Sequence, residues 1–204
     1  ISDAMVYGEA DVVILAIPDI LIKIVTKDIV PMMKPGAMII GLDPAAAYAE
    51  VMPIRNDLTY FVAHPCHPGL FSMKKTTEEQ EDWFGGVAPQ DVVCALYHGN
   101  EADYEKGETL AKLMYAPVDK VYRVTVEQMA ILEPALVESY TLTLIAKIKE
   151  AFDVVVGMGV PYDAAMAFLM GHLRVEFGII FGWSGFPFSD GAKIATEKAE
   201  KEIF

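Results

Sequence analysis

The sequence predicts an α/β domain built on a doubly wound sheet, followed by an all-helical domain, and three observations carry that reading. Short continuous runs of β-branched and other apolar residues recur between Asp11 and Val124. Stretches of helical spacing separate them, the alternation of strands buried on both faces of a parallel sheet with covering helices. After Thr125 the strand pattern stops, and apolar residues fall at helical intervals alone. The α/β domain is therefore assigned to residues 1–123 and the helical domain to residues 124–204.

Strands are expected at residues 11–18, 37–42, 58–63, 92–97 and 118–124. A helix over 20–33 follows the first, with Ile20, Ile24, Val25 and Ile29 on one face, and Lys34-Pro35-Gly36 ends it. Residues 44–51 read as a short helix and 101–115 as a longer one. Thr125 and Gln128 have the spacing of a capping box, opening a long helix to about residue 156. Gly157-Met158-Gly159 closes it, Val160-Pro161 starts a second helix to residue 181, and Ser189 caps a last, charged one.

Composition excludes several functions. The 204 residues carry a net charge of -13, which disfavours nucleic acid and anionic membranes. Apolar stretches are interrupted by charges, Gly or Pro, so no membrane span is expected. Cys66 and Cys94 lie far apart in no metal or disulfide pattern, as in a protein of the reducing cytoplasm.

In doubly wound sheets, ligands gather beyond the C-terminal strand ends. Those ends here are Pro18-Asp19, Asp43-Pro44, His64-Pro65 and His98-Gly99. His64-Pro65-Cys66-His67-Pro68 is the most unusual segment. Each proline fixes its own φ and holds its predecessor extended, so the turn is stiff enough to aim an imidazole. Glu133 stands among apolar residues between Met129 and Val137, a setting that suits a carboxylate to acid–base or metal chemistry. Pro134 beside it removes one helical hydrogen bond and frees the Ala130 carbonyl. Glu138, five residues on, is expected to point elsewhere. His172 and Glu176 share a helix face at i, i+4, and Gly171 would let another helix approach.

Ala10-Asp-Val-Val-Ile-Leu-Ala-Ile-Pro18 resembles the fourth strand of the Rossmann domain in phosphogluconate dehydrogenase-like enzymes, and Lys34-Pro-Gly-Ala-Met-Ile-Ile-Gly-Leu-Asp43 resembles the strand that follows. The His-Pro turn, Glu133-Pro134 and Gly171-His172 together resemble a narrower group. That group carries a phosphogluconate dehydrogenase-type C-terminal domain, includes D-apionate oxidoisomerases, and is distantly similar to ketol-acid reductoisomerase. The resemblance implies NAD or NADP, a homodimer built by the helical domain, and an active site between the two domains. The activity it implies is oxidation or oxidoisomerisation of a small hydroxy acid or sugar acid, with a divalent metal available to polarise adjacent oxygens. Carried over residue by residue, Ile17, Pro18 and Asp19 line the cofactor. His64, His67, Glu133 and His172 face the substrate, with His64, Glu133 and His172 expected to be catalytic and His67 to bind substrate; Glu138, a further carboxylate of the same helix, is a substrate-binding candidate from the residues alone. His67, Glu133 and His172 are the candidate metal ligands.

The family's G-x-G-x-x-G loop and ribose-reading residue do not occur in these 204 residues and are expected upstream of Ile1; Gly157 and Gly159 follow a helix and cannot replace them. NAD against NADP therefore stays open. So do three other readings. One is a simple 3-hydroxy acid dehydrogenase, which resembles a Lys plus Asn pair early in the long helix, where this chain has Glu127, Gln128 and Glu133. The others are a non-catalytic dimeric ligand-binding protein and a metal-dependent isomerase without a nicotinamide.

Overall fold

The computed structural model describes residues 3–72 and 74–203. Five strands form one sheet in the order β1-β2-β3-β4-β5: β1 Val12–Leu15, β2 Met38–Gly41, β3 Thr59–Pro65, β4 Gln90–His98 and β5 Val118–Arg123. The helices are α1 Asp3–Glu9, α2 Asp19–Ile29, α3 Ala45–Tyr48, α4 Thr77–Gln80, α5 Asp103–Met114, α6 Val126–Ala130, α7 Leu142–Gly157, α8 Tyr162–Ile180 and α9 Asp190–Ile203. A π-helical segment, Ile131–Thr141, joins α6 to α7.

The α/β class and the five strands agree with expectation; the strand directions do not agree throughout. β1, β2 and β3 are mutually parallel, but β4 runs antiparallel to β3, and β5 is parallel to β4. His98-Gly99 therefore lies at the edge of the sheet opposite the ends of β1 to β3, and leaves the set of strand ends where a ligand was expected. An apolar run buried on both faces reads alike in either direction, so the reversal carries no sequence mark.

Successive residues of the central strands point to opposite faces, and both faces are covered. Ile39, Tyr60, Val62 and Ala95 pack with Ile22 and Ile29 of α2, Ala46 and Ala47 of α3, and Met129 of α6. Met38, Ile40, Phe61, Ala63 and Cys94 pack with Tyr104 and Ala111 of α5 on the other side. α5 lies so close that a Cβ added at Gly107 would stand 2.5 Å from the Phe61 ring.

The buried face of α2 differs from the expected one. Ile22, Thr26 and Ile29 are buried, whereas Ile20 and Ile24 are 83% and 61% exposed. Thr26 occupies a core position because its hydroxyl donates to the Ile22 carbonyl at 2.6 Å, leaving no buried donor unpaired. A count of apolar residues alone passes over such a position.

Entry to the helical half is as expected. The Thr125 N–H donates to Gln128 Oε1 at 2.9 Å and the Gln128 N–H to Thr125 Oγ1 at 3.1 Å, closing the capping box. At Pro134 the chain does not merely lose one bond in an α-helix. It winds more widely for eleven residues, and the Ser139 and Thr141 hydroxyls donate to the carbonyls of Pro134 and Leu136, each five residues back. Hydrogen bonds of this span are those of a π-helix. Glu138 itself is exposed.

By contact density the chain divides into two compact units, Ile1–Leu142 and Thr143–Phe204. In the second, Phe152 of α7 and Ala165 of α8 are buried, the Phe152 ring meets Tyr162 edge-on at 5.3 Å, and Ser189 Oγ caps α9 by accepting from the Ala192 N–H at 3.2 Å. The approach expected at Gly171 finds no partner within this unit, since a Cβ there would meet no atom within 4 Å. One run corrects the reading of hydropathy. Val126–Gly157, 32 residues with mean hydropathy 1.3, is long and apolar enough to cross a membrane by length and composition. Glu133 and Glu138 are too sparse to interrupt it, although its first part belongs to the same unit as the sheet.

Candidate active site

The site forms where β2 and β3 end side by side. Gly41 pairs with Val62 in parallel register, so Asp43 and His64, each two residues further on, emerge at the same edge. The His64 ring folds back, with Nδ1 2.7 Å from the Leu42 carbonyl oxygen. A carbonyl can only accept, so Nδ1 carries the hydrogen and Nε2 faces the other way. There it meets Glu133 Oε1 at 3.0 Å. The side chains of His64 and Glu133 are only 23% and 17% exposed.

Asp43 completes the group. Ligand-type atoms of Asp43, His64 and Glu133 all lie within 4.8 Å of one another. One Asp43 oxygen, Oδ1, accepts from the Ala45 N–H at 2.6 Å. Glu133 Oε2 is buried and has no hydrogen-bond partner. Burial chiefly raises the Asp43 pKa; the Ala45 N–H opposes this, the Glu133 and Asp19 charges add to it, and His64 lowers it. For His64 burial works against protonation, but the hydrogen bonds to Glu133 and Leu42 and the charges of Glu133 and Asp43 together prevail, so its pKa rises. With Nδ1–H committed to Leu42, His64 Nε2 and Glu133 Oε1 are two electron-rich atoms in contact. One positive particle has to sit between them.

Beside this group a mostly apolar hollow of about 530 Å³ is lined by Ala45, Tyr48, Ala49, Ala130, Pro134 and Ser139, among others. It adjoins both Asp43, two residues before Ala45, and Glu133, which precedes Pro134.

The other expected site residues are placed as follows. His67 is exposed, in the left-handed region at φ 58, with Nδ1 3.1 Å from the Phe84 carbonyl oxygen; its ring centre is 6.2 Å from that of His64. It lies outside the three-residue group. His172 belongs to the second unit, where its ring stacks on Phe168 at 4.0 Å and Nδ1 meets the Phe168 carbonyl oxygen at 2.8 Å. Of the three candidate metal ligands, Glu133 alone is in the group, and the positions beside it are taken by His64 and Asp43. Asp43 was visible only as a strand-end residue before a proline; nothing in its neighbours announced a partner ninety residues away. Ile17 and Pro18 form the β1–α2 connection and Asp19 opens α2. Pro18 at the N-cap gives no side-chain hydrogen bond to the first turn of α2, and its carbonyl accepts from the Leu21 N–H at 2.8 Å.

Residues 72–204 match the model of the phosphogluconate dehydrogenase (decarboxylating) C-terminal domain. The chain belongs to that family. Among its relatives, a D-apionate oxidoisomerase of Cupriavidus necator is 44% identical over 97% of this chain and 72% of its own length. A D-apionate oxidoisomerase of Rhizobium rhizogenes is 47% identical over 92% of this chain and 69% of its own length. A solved structure, the semialdehyde dehydrogenase NAD-binding protein of Cupriavidus necator in complex with calcium and NAD, superposes with TM-score 0.93 at 42% identity, covering 100% of this chain and 74% of that one.

Proposed function

We propose that this chain belongs to an NAD-dependent oxidoisomerase that acts on a small sugar acid of the D-apionate type. The observation that carries the reading is the 3.0 Å contact of His64 Nε2 with Glu133 Oε1 beside Asp43, at the edge where the parallel strands end. The names of the relatives and the NAD complex support it.

NAD, when bound, accepts a hydride from a carbon that bears a hydroxyl group. Ile17, Pro18 and Asp19 would hold it along the β1–α2 connection. The hydroxyl gives its proton to Glu133, whose Oε2 has no other partner, and ends as a neutral carbonyl oxygen; until the hydride has left, that oxygen carries alkoxide charge. The positive particle that His64 and Glu133 hold between them neutralises that charge, and Leu42 keeps the imidazole aimed. The adjoining hollow, of about 530 Å³, accommodates a short-chain acid. His67 is assigned to the polar end of the substrate. His172 has a catalytic role on the resemblance alone, and Glu138 a substrate role only as a further carboxylate of the segment that carries Glu133.

The exposed apolar residues of α7 and α8, such as Ile145, Val154 and Phe168, suit burial between two copies of the chain. A homodimer of the bacterial cytoplasm, with reduced Cys66 and Cys94, is therefore part of the reading, and a sedimentation mass of two chains checks it.

The activity is tested by incubating the intact protein with D-apionate and either NAD or NADP. NADH formation together with a rearranged carbon skeleton in the ¹³C spectrum is expected. NADH with an unrearranged product would favour a simple dehydrogenase, and no reduced cofactor at all would favour a ligand-binding protein.

A further inference from the structure

We propose that Asp43, His64 and Glu133, in place of His67 and His172, are the residues that hold the divalent ion the family resemblance implies, and that the site suits an ion of the manganese or zinc kind. The role of that ion toward substrate rests on the reading given above; the site itself rests on geometry.

Four features point to a cation. First, the three side chains each offer an atom within 4.8 Å of the others. Ligands sharing one ion at about 2.0–2.6 Å can lie no more than about 5 Å apart, so the group fits around a single ion. Second, Glu133 Oε2 is buried without a partner. A buried carboxylate oxygen left without a donor is costly, and a metal ion satisfies it. Third, the Leu42 carbonyl fixes His64 Nδ1 at 2.7 Å and so presents Nε2 to the group. A backbone carbonyl on the far nitrogen is how metal-binding histidines are commonly oriented. Fourth, Asp43 Oδ1 is tied to the Ala45 N–H, which fixes the carboxylate and leaves Oδ2 to serve as the ligand.

A single proton between His64 and Glu133 accounts for the 3.0 Å contact but leaves Glu133 Oε2 without a partner. A divalent ion answers both. The donor set, one imidazole and two carboxylates, matches a borderline first-row ion better than calcium, which takes oxygen ligands alone. Three protein ligands leave further coordination positions open. Two adjacent substrate oxygens filling them would be polarised together, which is what a shift of the carbon skeleton next to a carbonyl requires.

The test uses the intact protein stripped with chelator and titrated with Mn²⁺, binding being read by electron paramagnetic resonance and by calorimetry. One ion per chain is expected in the unaltered protein. Asp43→Asn and Glu133→Gln should each bind Mn²⁺ at least tenfold more weakly, with thermal midpoint and NAD affinity preserved. Asp103→Asn, at the opposite edge of the sheet, should bind as the unaltered protein does. Absence of stoichiometric Mn²⁺ and Zn²⁺ binding, or binding that Asp43→Asn leaves unchanged, overturns the proposal. The two readings separate cleanly. NADH formation that persists in chelator, with no metal taken up, removes the ion and keeps the oxidoisomerase. Metal uptake with no NADH formed from D-apionate does the reverse.

Discussion

Replacing Glu133 with Gln is expected to lower turnover by about 10²–10⁴-fold while leaving the fold and NAD affinity intact. The amide has the size of the carboxylate, so the packing around Pro134 and Ala130 is retained. What goes is the charge opposite His64 Nε2, 3.0 Å away. Whatever positive particle occupies that gap loses its counter-ion, and the substrate oxygen loses the charge that would neutralise it. His64→Asn should have an effect of similar size. The two changes together should cost little more than either alone, because one pair is being broken. Steady-state kinetics with D-apionate and NAD measure this. Turnover within tenfold of the unaltered protein would take Glu133 out of the chemistry.

The second large effect concerns the contact that seats α5 on the sheet. Phe61 is 1% exposed, and Phe61→Ala should cost about 3–5 kcal/mol of stability through lost burial and the cavity left behind. In an ordinary helix, Gly→Ala adds about 1 kcal/mol. At Gly107 the new methyl would stand 2.5 Å from the Phe61 ring, and overpacking of that kind costs about 1–3 kcal/mol, so Gly107→Ala is expected to destabilise. In the Phe61→Ala background the obstruction is gone, and the sign should reverse. Urea denaturation of the four proteins in the cycle checks this. A Gly107→Ala effect of the same size and sign in both backgrounds would contradict the packing described.

Much of this architecture was legible because buried strands write themselves as continuous β-branched runs, and the capping residues Thr125 and Ser189 sit where their chemistry is needed. Strand direction was not. The connection between β3 and β4 is long enough to return the chain either way, and Val92 to Tyr97 would be apolar in both cases. The face of α2 was misread because Thr26 hides its polarity in a local hydrogen bond. At the site, Glu133 was legible as a carboxylate in an apolar stretch, and His64 as an imidazole held by a stiff turn. Asp43 was not, because its role depends on the parallel register of β2 with β3 and on a helix that arrives from far along the chain. Pro134 announced a disturbance, but the same residue marks a kink, a broken bond or a widened helix. The π-winding that stacks Ser139 against Pro134 emerges only in three dimensions.

The most direct measurement is a crystal structure of the intact protein with NAD and a non-reacting analogue of the sugar acid. The account predicts the analogue's hydroxyl and neighbouring oxygen within coordination or hydrogen-bond reach of Asp43, His64 and Glu133, with the nicotinamide ring facing the hydroxyl-bearing carbon. An analogue seated instead in the polar hollow at the opposite edge, between Thr59, His98 and Asp103, with the His64–Glu133 pair untouched, would contradict it.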